Sequence, residues 1–191
     1  GTVEPWVRDY LRDRGLFGTS ILWFEADASG GPLPAERWRE FCLSSVTTHD
    51  LPPTAGYLAG EHIRLRDELG LLTRPAEEEQ GADEAAQGRW LDELRRVGLL
   101  EPGTEPDTDE IVTALYRYLG RTPSKLLALS LADAVGALRT QNQPGTVDEY
   151  PNWRVPLAGP DGRRLLLEDV FVDERAAALS DVLSEVSSMR M

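Results

Sequence analysis

Cysteine, histidine and positive charge are all scarce in this chain of 191 residues. One cysteine, Cys42, and two histidines exclude an internal disulfide and any metal site built from a Cys and His ligand set. The 20 Lys and Arg stand against 33 Asp and Glu, a formal charge of −13. Such a field repels polyanions, so a phosphate-tracking nucleic-acid binder is excluded and neutral or cationic partners are favoured. No apolar run approaches the roughly 20 residues of a membrane span, and Gly1 to Arg8 show no basic-then-apolar leader pattern. Repeats with a period of roughly 20 to 50 residues are missing too. What remains is a globular chain, expected in the cytoplasm, with no metal, no cofactor, no nucleic acid and no membrane among its expected partners. Its 41% hydrophobic and 28% charged residues suit one buried core.

Helix and strand patterns alternate along that core. Thr2 reads as an N-cap with Pro5 early in the first turn, and Val3, Trp6, Val7, Tyr10 and Leu11 keep helical spacing until Gly15. Ser20 to Phe24 is a short continuous apolar run, as in a strand buried on both faces. Pro34 to Phe41 suggests a short amphipathic helix. A second strand is expected from Cys42 to Thr48, ended by Pro52-Pro53. Charge-rich helical sequence fills Ala55 to Leu72 and Glu84 to Leu100, with the acidic run Glu77 to Glu84 as a solvated loop or helix face. Asp107 or Thr108 can cap a helix running from Asp109 to Gly120. Lys125 to Leu131 reads as a third strand, although its Leu and Ala residues are also helix formers. Gln141 to Arg154 is loop, and Asp169 to Val186 forms a terminal amphipathic helix. Strands separated by helices imply a parallel α/β sheet.

All three strand candidates run into carboxylates: Glu25 and Asp27, then Asp50, then Asp133. In parallel α/β folds the C-terminal strand ends share one rim, where catalytic groups gather. An acid after a strand is also an ordinary turn or cap residue. Asp50 differs from the others in its setting, because His49 precedes it and a proline pair stiffens its exit. The second dense spot is Gln141 to Arg154. Its neighbouring amides suit sugar hydroxyls, and Tyr150 and Trp153 offer flat faces for stacking on pyranose rings; a polar surface turn anchored by one aromatic is the plainer alternative.

At these two spots the chain resembles the 4-alpha-glucanotransferases, the amylomaltase or disproportionating-enzyme family. The matching segments are Thr48-His49-Asp50-Leu51-Pro52, Ala55-Gly56, Asn142-Gln143-Pro144-Gly145-Thr146 and Glu149-Tyr150-Pro151-Asn152-Trp153-Arg154. Gly1-Thr2-Val3 before a helix, then Leu22-Trp23-Phe24-Glu25, match in the same order. The resemblance implies the C-terminal part of a (β/α)8 TIM-type barrel over residues 1–191, with a helical insertion at about 55–120. It implies retaining transfer of α-1,4-glucan segments between maltooligosaccharides: an aspartate attacks the anomeric carbon, a glutamate acts as acid and then base, and a second glucan accepts the glucosyl group. Asp50 takes the role of the transition-state-stabilising carboxylate, His49 that of a sugar-binding neighbour, and Asn142 and Trp153 are further substrate contacts.

The family's acid/base glutamate lies in an E-D-L-G segment, and this chain opens at what looks like its glycine. The nucleophile lies further upstream still. The expectation is therefore that the chain alone is inactive and needs the preceding part of the barrel. Ala132 stands where the family often has an acid before the aspartate at Asp133. Two other readings remain: a carbohydrate-binding or interaction fragment that uses Trp153, Tyr150 and the amide loop, and a small α/β hydrolase working through Asp50 and His49. The absence of a G-x-S-x-G elbow argues against the hydrolase.

Overall fold

The structure, a computed structural model, describes residues 4–189; the expected cap at Thr2 lies outside that range. The elements are α1 (Pro5–Asp13), β1 (Gly18–Ile21), β2 (Cys42–Ser45), α2 (Thr54–Leu58), α3 (Glu61–Glu68), α4 (Ala76–Arg96), α5 (Thr108–Gly120), β3 (Leu126–Leu127), α6 (Leu131–Ala134), α7 (Leu167–Val170) and α8 (Glu174–Met189). The three strands form one parallel sheet in the order β1-β2-β3. Gly18 pairs with Cys42 and Ile21 with Ser45, while Leu43 and Ser44 pair with Leu126 and Leu127.

The expected parallel sheet is present, but each strand is shorter than its apolar run. After Ile21 the chain turns into one 3-10 turn, Leu22–Phe24. Leu22 is fully buried there whereas Phe24 is 68% exposed, so the run is not buried on both faces as expected. The bond from Ser20 Oγ to Glu25 Oε1 (2.5 Å) closes this corner. Pro34 to Phe41 is not a helix beyond the 3-10 turn Ala35–Arg37. The buried Trp38 indole donates to the Leu33 carbonyl (3.0 Å), and Trp38 itself is already extended, which ends the turn. β2 ends at Ser45 rather than Thr48. Leu131–Ala134, expected at the end of a strand, is helical, with Ser130 Oγ accepting from Asp133 N.

The helices follow their local signals more closely. The acidic run Glu77 to Glu84 lies within α4, where Glu77, Glu78 and Glu79 occupy the first turn and favour the positive end of the helix dipole. Asp107 caps α5 through a reciprocal box with Glu110. α5 is the centre of the core: Val112, Leu115, Tyr116, Tyr118 and Leu119 are buried, together with Leu22, Val46, Trp90, Leu94, Leu179 and Val182 from other elements. Trp90 meets Tyr118 edge to face at 5.3 Å. α8 crosses α5 so closely that a Cβ on Gly120 would lie 2.3 Å from Val186 Cγ2. Beside this core the segments after β2 and after α6 meet, Thr140 Oγ1 lying 3.2 Å from the Leu51 carbonyl.

Candidate functional site

Where β2 ends, hydroxyl groups fold the chain into a tight turn. Ser45 Oγ donates to the Thr47 carbonyl and Thr47 Oγ1 to the Pro52 carbonyl, both at 2.8 Å. Thr48 Oγ1 accepts from the Asp50 amide at 3.3 Å. The turn presents His49 and Asp50 half-exposed, with His49 Nε2 3.2 Å from Asp50 Oδ2. The other carboxylate oxygen, Oδ1, accepts from Asn142 Nδ2 at 2.7 Å across 92 residues of sequence. The His49 ring lies 5.1 Å from Trp153, the planes inclined by 40°. His49, Asp50, Asn142 and Trp153 thus form one connected cluster.

The second loop is built to hold Asn142 and Trp153. Asn152 Oδ1 accepts from the Gln143 amide and Asn152 Nδ2 donates to Thr146 Oγ1, both at 2.8 Å. Thr146 Oγ1 in turn donates to the Gln143 carbonyl at 2.7 Å. Trp153 adopts φ 63°, a left-handed backbone that costs a non-glycine residue about 1–3 kcal/mol, while its amide donates to the Gln141 carbonyl (2.8 Å). Its side chain is 63% exposed. Tyr150 offers no stacking face: it is buried, its hydroxyl donates to the Thr140 carbonyl (2.7 Å), and the Arg139 guanidinium lies over its ring. Gln141 and Gln143 are turned to backbone carbonyls, of Val155 and Pro144, which leaves Asn142 as the amide aimed at Asp50.

The remaining rim acids are bound into the scaffold. Glu25 accepts from Ser20 and lies 3.4 Å from Arg39. Asp27 accepts from Ser29 Oγ, Ser29 N and Gly31 N, and these bonds hold its carboxyl below the usual range. Asp133 is buried; Thr54 N (2.6 Å), Thr54 Oγ1 (2.8 Å) and Tyr116 OH (2.9 Å) donate to it. Burial pushes its pKa up against the lowering effect of those three donors.

Two features escaped the sequence reading. Thr140 Oγ1 lies 3.2 Å from the Leu51 carbonyl and 2.9 Å from the Asn142 carbonyl, joining the two loops, and no motif marks it out. A cavity of about 240 Å³ next to Leu51 and Pro52 is lined by Trp23, Tyr57, His62, Arg89 and Trp90. Burial and the nearby Asp83 charge push the Tyr57 hydroxyl up to about 12. Its aromatics come from four separate segments, so periodicity shows only core residues. Among the described residues no group of three or more His, Cys, Asp or Glu could hold a metal ion, and no helix is long and apolar enough to cross a membrane.

A family model described as 4-alpha-glucanotransferase matches residues 1–161. A 4-alpha-glucanotransferase of Mycobacterium bovis is 67% identical over 195 aligned positions, covering 100% of this chain and 27% of the relative. The crystal structure of amylomaltase from Corynebacterium glutamicum superposes with a TM-score of 0.89 at 42% identity, over 95% of this chain and 27% of that one. Amylomaltase from Streptococcus agalactiae, solved in complex with acarbose, matches in fold with a TM-score of 0.56 at 20% identity, over 98% of this chain and 30% of that one. The chain therefore spans about a quarter of the length of the relatives it matches.

Proposed function

Because this chain belongs to the 4-alpha-glucanotransferase family, we propose that its Thr48–Pro52 turn and Gln141–Arg154 loop form one wall of a site that transfers α-1,4-glucan segments between maltooligosaccharides. The observation that carries this reading is the meeting of His49, Asp50, Asn142 and Trp153 across 92 residues of sequence. Asp50 is the transition-state stabiliser. Its carboxylate, oriented by His49 on one oxygen and Asn142 on the other, grips sugar hydroxyls and offsets the positive charge of an oxocarbenium-like transition state. The free face of Trp153 stacks on a pyranose ring.

Retaining transfer needs two carboxyl groups about 5–5.5 Å apart, a nucleophile that opens the glycosidic bond and an acid that protonates the departing oxygen. The same acid, now a base, then takes the proton of the acceptor hydroxyl as that oxygen attacks the anomeric carbon and frees the nucleophile. The partners bonded to Asp50 are an imidazole and an amide, and the other rim acids, Glu25, Asp27 and Asp133, are bonded into the scaffold, so we assign neither of those two roles to this chain. On this reading residues 1–191 are a C-terminal part of a (β/α)8 barrel. β1, β2 and β3 are neighbouring barrel strands, the helices over residues 54–120 are an insertion, and the rest of the site comes from the preceding part of the family's longer chain, in the cytoplasm.

Titration of the chain with maltoheptaose, followed by tryptophan fluorescence, tests the binding half of this reading. Saturable quenching that is lost on Trp153→Ala supports it, and a flat titration overturns it. For the catalytic half, incubation with maltotriose is expected to leave the sugar unchanged. Release of glucose together with longer products would show that the acting carboxylates are in this chain after all.

A further inference from the structure

Asp133 takes no part in the site just described, yet it is an unusual group to bury. Its residue is 3% exposed and the groups that donate to its carboxylate are neutral: the Thr54 amide and hydroxyl and the Tyr116 hydroxyl. Tyr116 OH is itself fixed by the Ser130 amide (3.1 Å). A buried carboxylate with no cation costs more than a neutral side chain of the same shape, so simple packing does not account for it.

What it holds is informative. Thr54 opens α2, and the link from Asp50 to Thr54 is Leu51-Pro52-Pro53, in which two proline rings restrict φ and transmit any displacement of Thr54 back to Asp50. Beyond Asp133 the chain passes under α2, with Leu138 so close that a Cβ on Gly56 would stand 2.1 Å from its carbonyl oxygen. It then reaches Thr140, whose hydroxyl contacts the Leu51 carbonyl, and arrives at Asn142. The segment from Asp133 to Asn142 thus grips the Asp50 turn on its far side at Thr54 and at Leu51, and supplies the amide that orients the carboxylate.

We propose that Asp133 is a positioning residue that acts through Thr54 to set where Asp50 and His49 stand relative to Asn142 and Trp153. A supporting group of this kind fixes reacting groups that must be placed within about half an ångström. The proposal rests on the reading of the Asp50 cluster as a glucan site only for its functional meaning; the geometry is tested independently.

The chain has two histidines, so its proton spectrum carries two imidazole Hε1 signals, which His62→Asn assigns. The Trp153 ring, its centroid 5.1 Å from that of His49, is expected to shift the His49 signal by its ring current. Asp133→Asn is expected to move it toward the position found in Trp153→Ala, and Tyr116→Phe to move it part of the way. Leu179→Ala, a core cavity chosen to match the loss in Tm, is expected to leave it in place. Should Asp133→Asn fail to fold, Thr54→Val and Tyr116→Phe carry the comparison. Equal His49 shifts in these variants and in Leu179→Ala, or no shift in any, overturn the proposal. In parallel, maltoheptaose affinity is expected to fall about tenfold in Asp133→Asn and to hold in Leu179→Ala. A flat wild-type titration would overturn the glucan reading while the His49 signal still decides the positioning role.

Discussion

Trp153 holds a backbone conformation that glycine adopts freely, and it does so with its side chain 63% exposed, where burial returns little. Trp153→Gly separates strain from function. Relief of the left-handed backbone, about 1–3 kcal/mol, matches or exceeds the added chain entropy of glycine, about 0.5–1 kcal/mol, so stability should hold or rise by up to about 2 kcal/mol. Maltoheptaose affinity should fall at least tenfold, about 1.4 kcal/mol, because the platform beside His49 is gone. Thermal melting and fluorescence titration of the same sample check both. If Asp50 works as proposed, Asp50→Asn should lower kcat by about 10²–10³ in a transferase completed with the preceding part of the family chain, with a smaller effect on KM.

Asp133 adds its own pH dependence to stability. Its folded pKa lies above 3.8, because desolvation outweighs its three donors. The folded state then binds more protons than the unfolded state once pH exceeds 3.8, so the stabilisation is complete below that pH and is lost as pH rises through the folded value. Asp133→Asn cannot titrate. The Tm advantage of the wild type over it should be largest at acid pH and shrink as pH rises, read by melting both proteins over a pH series. A constant difference would count against a buried, titrating Asp133.

Among the elements, the longer helices were legible because their signals are local, although Pro34 to Phe41 keeps only a 3-10 turn and the terminal helix starts at Glu174 rather than Asp169. Asp107 and Glu110 lie three residues apart and form the box that caps α5; Asp107→Ala should cost about 1 kcal/mol, measured by urea unfolding. The contact between α5 and α8 was not legible, since nothing near Gly120 announces Val186. Gly120→Ala gains helix propensity but drives a methyl to 2.3 Å from Val186 Cγ2. Overpacking of that kind should destabilise the chain by about 1–3 kcal/mol, and Gly120→Ala with Val186→Ala should recover most of the loss. The strands were read in the right order and orientation but too long. Apolar runs continue past the last ladder bond, and whether Leu22 to Phe24 or Leu131 to Ala134 stay extended depends on partners outside the run.

For the molecule as a whole, the three-stranded parallel sheet leaves β1 and β3 with one side each unpaired within it. If these strands belong to a barrel, the chain alone should self-associate through those edges. Light scattering that rises with concentration, and that falls on co-expression with the preceding part of the family chain, is the expected result. A monomer with a single cooperative melt at every concentration would argue for a self-sufficient fold.

Cysteine and histidine scarcity, the charge of −13, the alternation of helices and strands and the His49-Asp50 and Asn142 to Trp153 motifs could all be read along the chain, because each depends on residue types or on neighbours a few positions apart. Of the four rim acids, only Asp50 stands apart along the chain, through His49 and the proline pair; Glu25, Asp27 and Asp133 look alike there. Packing separated them: Asp133 meets Thr54 across 79 residues and disappears into the core, Glu25 and Asp27 close local corners, and Asp50 is left facing Asn142. Whether a carboxylate is spent on structure or kept for a ligand depends on burial and on donors brought from distant segments, which no local period encodes.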